Sequence, residues 1–490
     1  MKFDLLGPGY AGVSNSLDPS RRVNFYVELA SEAAKARVSL VGTPGTILQY
    51  SLGNLPARGL HVFNGVLYAV AGNQLYSISA SGTVTAIAGA TLSTFVGPVV
   101  MKDNSVNVNN VGGNQLMIVD GSAGYVYNVN TGAFTNSTSF TGSGWPSTGA
   151  IALEYIDSYF LIGQTGSMNM YSSDGYNGLN WNTVAAASAQ SAPDAIQALW
   201  NLGEQLFVVK QYTTEIFYNT GTAPALGFPF QRMTSAVLDV GTVAPLAVAK
   251  GASSLFILGN RRTGDGGNFV GAMRIQNDNP TIISPPAITA QMQNWSPWTD
   301  VLSYVYEQDG HTFWVVTSPS HDQTFCYDAA IPDIELAWHE RSTYTAGSLY
   351  QVNRHVSNCY AFFNGMHLVG DYANGNIYQM TRTAWRDNGN PLVAFRTAQI
   401  VADKKKMLDS ISLHQLVVDA VTGYGGNIVF SFSGDGGNTW SNEYSKPLGV
   451  SGQYNTRLSW YPLGLYQYSF IPRIAISDNC PRILLGGYIE

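Results

Sequence analysis

The chain has 490 residues, 45% of them hydrophobic and 12% aromatic, so it has the means to bury a large core and is not a disordered polymer. Its net charge of −7 leaves no basic field to hold nucleic acid by counterion release, and no window reaches the ~18–20 apolar residues of a membrane span. Charged residues make up only 12%, about half the usual ~25%, so the surface is either covered by uncharged polar residues or hidden against partners.

The opening residues, Met1-Lys2-Phe3-Asp4-Leu5-Leu6-Gly7-Pro8, lack the apolar core of a signal peptide. An irregular lead punctuated by Pro8, Gly9 and Asp18-Pro19 runs into Arg22–Leu29, which alternates like a strand. Ser31–Ala36 suits a short helical turn before the Thr43-Pro44-Gly45 turn. Residues 1–55 are expected to form an N-terminal attachment segment.

From Phe63 to about Met380 one hairpin recurs seven times. Each copy is an aliphatic–aromatic strand, a Gly/Asn/Asp/Ser turn and a second strand carrying a Tyr or Phe. The first pairs Val66–Val70 with Leu75–Ile78 across Gly72-Asn73. The next three centre on Leu116–Val119 with Tyr125–Tyr127, Tyr159–Ile162 with Met168–Tyr171, and Leu206–Val209 with Glu215–Tyr218. The last three centre on Leu255–Leu258 with Phe269–Met273, Phe313–Val316 with Thr324–Tyr327, and His367–Val369 with Ile377–Gln379. A spacing of roughly 45–58 residues is the period at which four-stranded sheets repeat around a propeller. The expectation is an all-β chain: a β-propeller of about seven blades over 56–394, its inner strands read as continuous apolar runs because both faces are buried. The Gly/Ser/Thr segment 131–150 and the Pro-rich segment 279–298 read as long loops. After Phe395 the texture changes to longer alternating strands, Ile411–Ala420, Asn427–Phe432, Phe470–Ile476 and Ile483–Ile489. This tail, 395–490, reads as a separate C-terminal antiparallel β module, with closing blade material as the alternative.

No catalytic, cofactor or metal constellation emerges. Ser433-Gly434-Asp435-Gly436-Gly437-Asn438-Thr439-Trp440 fits the Asp-box of sialidases and other propellers. Its physics is local: the Asp accepts backbone N–H bonds, the glycines take positive φ, and the Trp packs beneath. Ser172-Ser173-Asp174-Gly175 with Trp181 is a weaker relative. Both read as structural turns, since no arginine cluster or activated Tyr accompanies them. Asp194 and Glu215 are the best carboxylate pair for acid–base work, but Asp194 equally suits an N-cap of the run Ala195–Trp200 and Glu215 a contact across a blade seam. The seven histidines lack His-x-x-x-His spacing, and Cys326, Cys359 and Cys480 are too scattered for a zinc site or disulfide framework. They read as free thiols of a reducing compartment. Asp265-Gly266-Gly267 and Asn277-Asp278-Asn279 lack calcium-loop spacing, and no phosphate loop or nucleophile elbow occurs. Lys404-Lys405-Lys406, flanked by Asp403 and Asp409, reads as a solvated turn with a phosphate contact as the alternative. Arg21-Arg22 and Arg261-Arg262 are small clusters suited to partner contacts.

The centre of the chain carries a resemblance. Trp181, Ala192-Pro193-Asp194-Ala195-Ile196, Glu204–Val209, Thr214-Glu215-Ile216-Phe217-Tyr218, Thr220-Gly221 and Phe228-Pro229-Phe230 resemble the core signature of the packaged-DNA stabilisation proteins. These are tail-hub, or head-completion, proteins of short-tailed (podovirus) double-stranded DNA phages. Val23-Asn24, Pro44-Gly45 and Arg58-Gly59 are similar to the start of that family. Its end is matched by Asp435-Gly436-Gly437, Arg457, Trp460, Leu463-Gly464, Arg473–Ile476 and Gly487-Tyr488-Ile489-Glu490. Trp181, Pro193, Asp194, Glu215, Asp435, Gly437, Trp440, Arg457 and Arg473 are thereby signature residues with structural roles. The resemblance implies a non-enzymatic virion protein without cofactor or metal, assembled in the host cytoplasm into the virion tail. Six copies would form a ring below the portal–adaptor ring, closing the DNA exit channel, retaining packaged genome and carrying the tail needle and tailspike or fibre. Packaged DNA would pass without sequence-specific binding, and no membrane is engaged. Alternatives are a tail nozzle or spike-attachment protein of another tail type, and a glycan-binding or sialidase-like propeller.

Overall fold

A computed structural model describes residues 5–9, 12, 14, 18–106, 112–347, 349–398, 410–466 and 469–490. It is 52% strand and 3% helix, which confirms the all-β reading. Among the described residues, seven antiparallel blades follow one another around an axis. Blade 1 is Ala57–Phe63, Val66–Ala71, Gln74–Ile78 and Val84–Thr91; blade 2 is Val100–Asp103, Gln115–Val119, Gly124–Asn128 and Phe134–Asn136. Blade 3 is Ala150–Ile156, Tyr159–Gln164, Asn169–Asp174 and Asn177–Ser188; blade 4 is Ile196–Leu202, Gln205–Lys210, Thr214–Asn219 and Phe230–Leu238. In blade 5 the innermost position is split between Gly241–Thr242 and Val248–Gly251, both paired with Ser254–Arg262, and Asn268–Gln276 and Asn279–Ile282 follow. Blade 6 is Leu302–Gln308, His311–Ser318, Gln323–Asp328 and Trp338–Glu340.

The recurring hairpin is the second and third strand of every blade. The second strands are continuous apolar runs, as expected: Leu255, Phe256, Ile257 and Leu258 have no exposed surface. Each such side chain contributes about 1.5–3 kcal/mol of burial, which holds adjacent blades face to face. Leu116 and Ile118 of blade 2 pack with Val70 and Leu75 of blade 1, and Leu206 and Val208 of blade 4 pack with Leu161 and Met170 of blade 3. The expected loop 279–298 instead contains the outer strand of blade 5 and a helix, Pro286–Gln293. Proline at the first helical position needs no amide donor there, so Pro286 starts the helix rather than breaking it.

Blade 7 is closed from the other end of the sequence. Its strands Ser357–Phe363, Met366–Asp371 and Asn376–Thr381 take Gly45–Ser51 as the fourth strand, with Leu48 opposite Tyr378 and Thr46 opposite Met380, and the short pair Arg386–Asp387 and Asn390–Pro391 extends the edge. Leu52 then packs into the seam between blades 7 and 1 with Leu67, Leu368 and Ile377.

The strands before Gly45 lie outside the ring. Arg21–Val23 pairs with Ala394–Thr397, and that sheet continues through Ile471–Ile476, Asn427–Ser433 and Tyr444–Pro447. Phe25–Leu29 and Val38–Gly42 join Ile483–Ile489, Leu416–Ala420 and Leu458–Trp460 in a second sheet. The two sheets form a β-sandwich built from both ends of the chain. Asn24 makes the switch between them at φ 54°, a left-handed conformation that asparagine tolerates. Its side chain is fastened by bonds to Ser342 and to the Val393 carbonyl.

Propeller and sandwich share one hydrophobic core. Phe256, Trp314 and Trp338 of blades 5 and 6 belong to the same buried cluster as Phe25, Leu40, Leu416, Ile474 and Ile489 of the sandwich. The parallel pairing of Val23 with Glu340 extends blade 6 directly into the first sandwich sheet. Arg21 reinforces this junction with an ion pair to Glu340, and buried Arg22 donates to the Leu336 and Trp338 carbonyls.

A polar latch spans the same junction. His311 of blade 6 contacts Asp328 through Nδ1 at 2.6 Å and Glu28 of the sandwich through Nε2 at 3.0 Å. The hydrogen bond to Asp328 raises its pKa above 6.5, against the opposing effect of burial. A raised folded-state value contributes stability that is complete below the unfolded value and is lost as pH rises through the folded one. The melting-temperature gap between this chain and His311→Gln is therefore expected to narrow as pH is raised from 6.5. A constant gap in a pH series of thermal melts would remove the latch from the account.

Candidate functional site

Two places concentrate polar groups against the apolar framework: one rim of blade 4 and the propeller axis. On blade 4, Gln205–Lys210 ends its buried run on a lysine with no exposed side-chain surface. Lys210 Nζ lies 2.9 Å from Asp194 Oδ1 and 2.9 Å from Glu215 Oε1. It also donates to the Ala189 and Ala192 carbonyls.

Asp194 does not cap a helix, because Ile196–Leu202 is the inner strand of blade 4. Its second oxygen accepts the Tyr212 and Thr213 amides at 2.7 and 3.0 Å, fixing the turn that follows Lys210. Glu215 opens the next strand and accepts the Ser191 amide and hydroxyl, tying the blade to the segment arriving from blade 3. Burial works against its ionisation, but hydrogen bonds from Lys210 and Ser191 outweigh it and hold the carboxyl below its ordinary value. A general acid at neutral pH needs the opposite shift, and both carboxylates are already enclosed by donors. The cluster fastens loops. Lys210, which joins the two, was not singled out in the sequence. The signal available was a lone cation closing the apolar run Leu206-Phe207-Val208-Val209.

Among the other signature residues, Trp181 is fully buried, donates to the Gly178 carbonyl and meets Trp145 edge-to-face at 4.9 Å. Asp174 accepts from the Asn180 and Asn182 amides beside it. Pro193 and Arg457 are exposed. Asp435 and Gly437 lie in the turn between Asn427–Ser433 and Tyr444–Pro447, in the sandwich and not in a blade. Asp435 accepts from the Thr439 hydroxyl and amide, the Ser433 hydroxyl and the Asn438 amide. The Thr439 bonds lead in holding its carboxyl well below 3.8. Gly437 sits at φ 92°, where a side chain is strained. Trp440 stacks on Arg473, whose guanidinium is held between that ring at 4.0 Å and Tyr350 at 3.5 Å. Asp435→Ala is expected to lower the melting temperature modestly. An unchanged melt would show that the turn holds without its carboxylate.

The propeller axis is a cavity of about 310 Å³ reached by the innermost strand of every blade. Lys102 in its wall pairs with Glu154 at 2.8 Å and His61 with Asp103 at 2.8 Å, while Lys250 donates to the Asn201 carboxamide at 2.9 Å. At one mouth it meets a second cavity of about 320 Å³. Among the described residues, no group of three or more His, Cys, Asp or Glu is placed to hold a metal ion. No helix there is long and apolar enough to cross a membrane. Cys326 and Cys480 are buried and Cys359 half-buried, all as free thiols. Lys404-Lys405-Lys406 lies outside the described residues.

Comparison with known proteins divides the chain near residue 380 and counts the early sandwich strands Phe25–Leu29 and Val38–Gly42 with the propeller. Residues 22–385 match the family model described as bacteriophage P22 Gp10, beta-propeller, and residues 380–490 match bacteriophage P22 Gp10, beta-sandwich. No curated protein matches the chain. Similar solved structures include the computationally designed Ika8 protein, at 8% identity and TM-score 0.39, covering 69% of this chain and 100% of that one. The Neurospora crassa Pan2 WD40 domain is 11% identical with TM-score 0.38, covering 69% and 94% respectively. An exo-beta-1,3-galactanase from Phanerochaete chrysosporium is 8% identical with TM-score 0.28, covering 91% and 100%. At these scores the structural likenesses carry no argument about function.

Proposed function

The chain belongs to the bacteriophage P22 Gp10 family, head-completion and DNA-stabilisation proteins of podophages, and is a structural virion protein; from that premise we propose that it is the subunit of a tail-hub ring. In this reading several copies, six by resemblance to the family, stand below the portal–adaptor ring in a tail assembled in the host cytoplasm. They close the DNA exit channel after packaging, retain the genome, and carry the tail needle and the receptor-binding spikes or fibres. The protein acts by holding position and catalyses nothing.

The observation that carries the proposal is the continuous core between propeller and sandwich, which makes the subunit one stiff body able to transmit load across its length. The propeller axis is too small a cavity for a duplex, so DNA would run between copies, through a lumen that only assembly creates. A charge of −7 per copy sums to about −42 over six (6 × −7), a balance that disfavours DNA adhesion. The low charged content also leaves much surface that ring neighbours can cover without desolvating ions.

Native mass spectrometry with a purified portal–adaptor assembly tests the reading. The expected result is a ring of copies on that assembly. A stable monomer that never joins it would end the proposal.

A further inference from the structure

We propose that one mouth of the propeller axis is a binding site for an extended polypeptide segment of a partner protein, gripped by its amide groups between Arg354 and Asp300. The two axial cavities, about 310 and 320 Å³, share Arg58, Pro245, Leu246, Leu302 and Asn358 in their walls, so they form one funnel from the face into the axis. Each volume lies within the range typical of ligand pockets.

The funnel holds an underused charged pair. Arg354 is 7% exposed, stacks on Tyr372 at 4.1 Å and gives one long side-chain hydrogen bond, Nη2 to Asn358 at 3.4 Å. Its Nε has no acceptor. Asp300 spends Oδ2 on the Ser320 amide and hydroxyl, while its Oδ1 has no donor. Buried polar groups are normally satisfied, so a donor and an acceptor left over in one wall call for a ligand offering the reverse pair. A carbonyl for the guanidinium and an N–H for the carboxylate are what a backbone amide or a carboxamide side chain presents. Arg58 is not available for this task. Its guanidinium is spent on the Gly72, Thr94, Val96 and Gly97 carbonyls and the Thr94 hydroxyl, which fixes the rim.

The remaining wall selects among ligands. Pro56, Pro98, Pro245 and Pro319 line the mouth and carry no backbone donor. Phe95 and Val96 stand on its rim 56% and 75% exposed. Rigid apolar walls around a single amide clamp suit a peptide with small apolar side chains. The Asp300 carboxylate beside Arg354 works against phosphates, and a sugar would leave its hydroxyls unpaired against proline.

The site does not rest on the tail-hub reading. Its test uses the isolated full-length chain, whereas that reading stands or falls on ring assembly. A random short-peptide display library is panned on the chain, and synthetic copies of enriched peptides are titrated against it, Arg354→Met and Val96→Asp. Val96 is exposed, so its variant is expected to keep the parent melting temperature. Dissociation constants are expected to rise about tenfold or more in both variants, the loss usual for a central contact. Absence of any enriched peptide overturns the proposal. So does a peptide that binds either folded variant as tightly as the parent.

Discussion

A chain lacking residues 1–51 is expected to lose cooperative folding altogether, not to behave as a trimmed propeller. The deletion removes Gly45–Ser51, leaving the third strand of blade 7 without its outer neighbour and the ring without the strand that closes it. It also removes Arg21–Val23 from one sandwich sheet and Phe25–Leu29 and Val38–Gly42, two of the five strands, from the other. Phe25, Val27 and Leu40 are 0%, 2% and 0% exposed and sit in the core shared by both halves. At about 1.5–3 kcal/mol each, these three alone approach the ~5–15 kcal/mol that a domain has in hand. Circular-dichroism melts and soluble yield provide the measurement. A truncated chain that melts cooperatively at the parent temperature would contradict this topology. Leu48→Pro probes the closing strand by itself, since proline cannot donate to the ladder opposite Tyr378, and a smaller but clear destabilisation is expected.

The second large effect is expected at Lys210. Lys210→Met keeps the length of the side chain but leaves Asp194 buried without a cation and Glu215 with only the more distant Arg232, at 3.4 Å. Removing one partner of a buried ion pair costs about 3–5 kcal/mol. Chemical denaturation should show a loss of that order, and pH supplies an internal check. In the parent, Glu215 titrates below 4.5 in the folded state, so its contribution is present above 4.5 and fades as pH falls through the lower folded value. In the variant only Arg232 still faces Glu215, burial weighs more, and acidification should recover part of the loss by neutralising the carboxylates. A Lys210→Met chain as stable as the parent at neutral pH would mean that the cluster contributes nothing to the fold.

The parts legible in the sequence were those encoded by neighbours in the chain. Each blade's middle hairpin joins strands separated by a short turn, so period-two patterning and turn residues exposed all seven. The Asp-box was legible for the same reason: Ser433, Asp435 and Thr439 bond within one turn. What stayed hidden depends on pairing across hundreds of residues. Nothing near Gly45–Ser51 announces that its partner is Asn376–Thr381, and the alternation of Arg22–Leu29 does not reveal the sheet change at Asn24. Lys210 was passed over because a lysine at a strand end is ordinarily solvated; only the fold shows two carboxylates converging on it. The glutamate–histidine–aspartate latch was invisible because Glu28 and His311 are 283 residues apart.

The use of both chain ends in the sandwich, and of an early strand in the last blade, also sets a clock. During synthesis Arg21–Val23, Phe25–Leu29 and Val38–Gly42 emerge hundreds of residues before their partners Ala394–Thr397 and Ile483–Ile489. Such non-local pairing is slow and leaves strand edges open meanwhile. A chain that stops before Thr381 therefore completes neither half, and one that stops before Ile489 lacks a strand of the sandwich. Only synthesis through Ile489 gives a closed ring and a formed sandwich together.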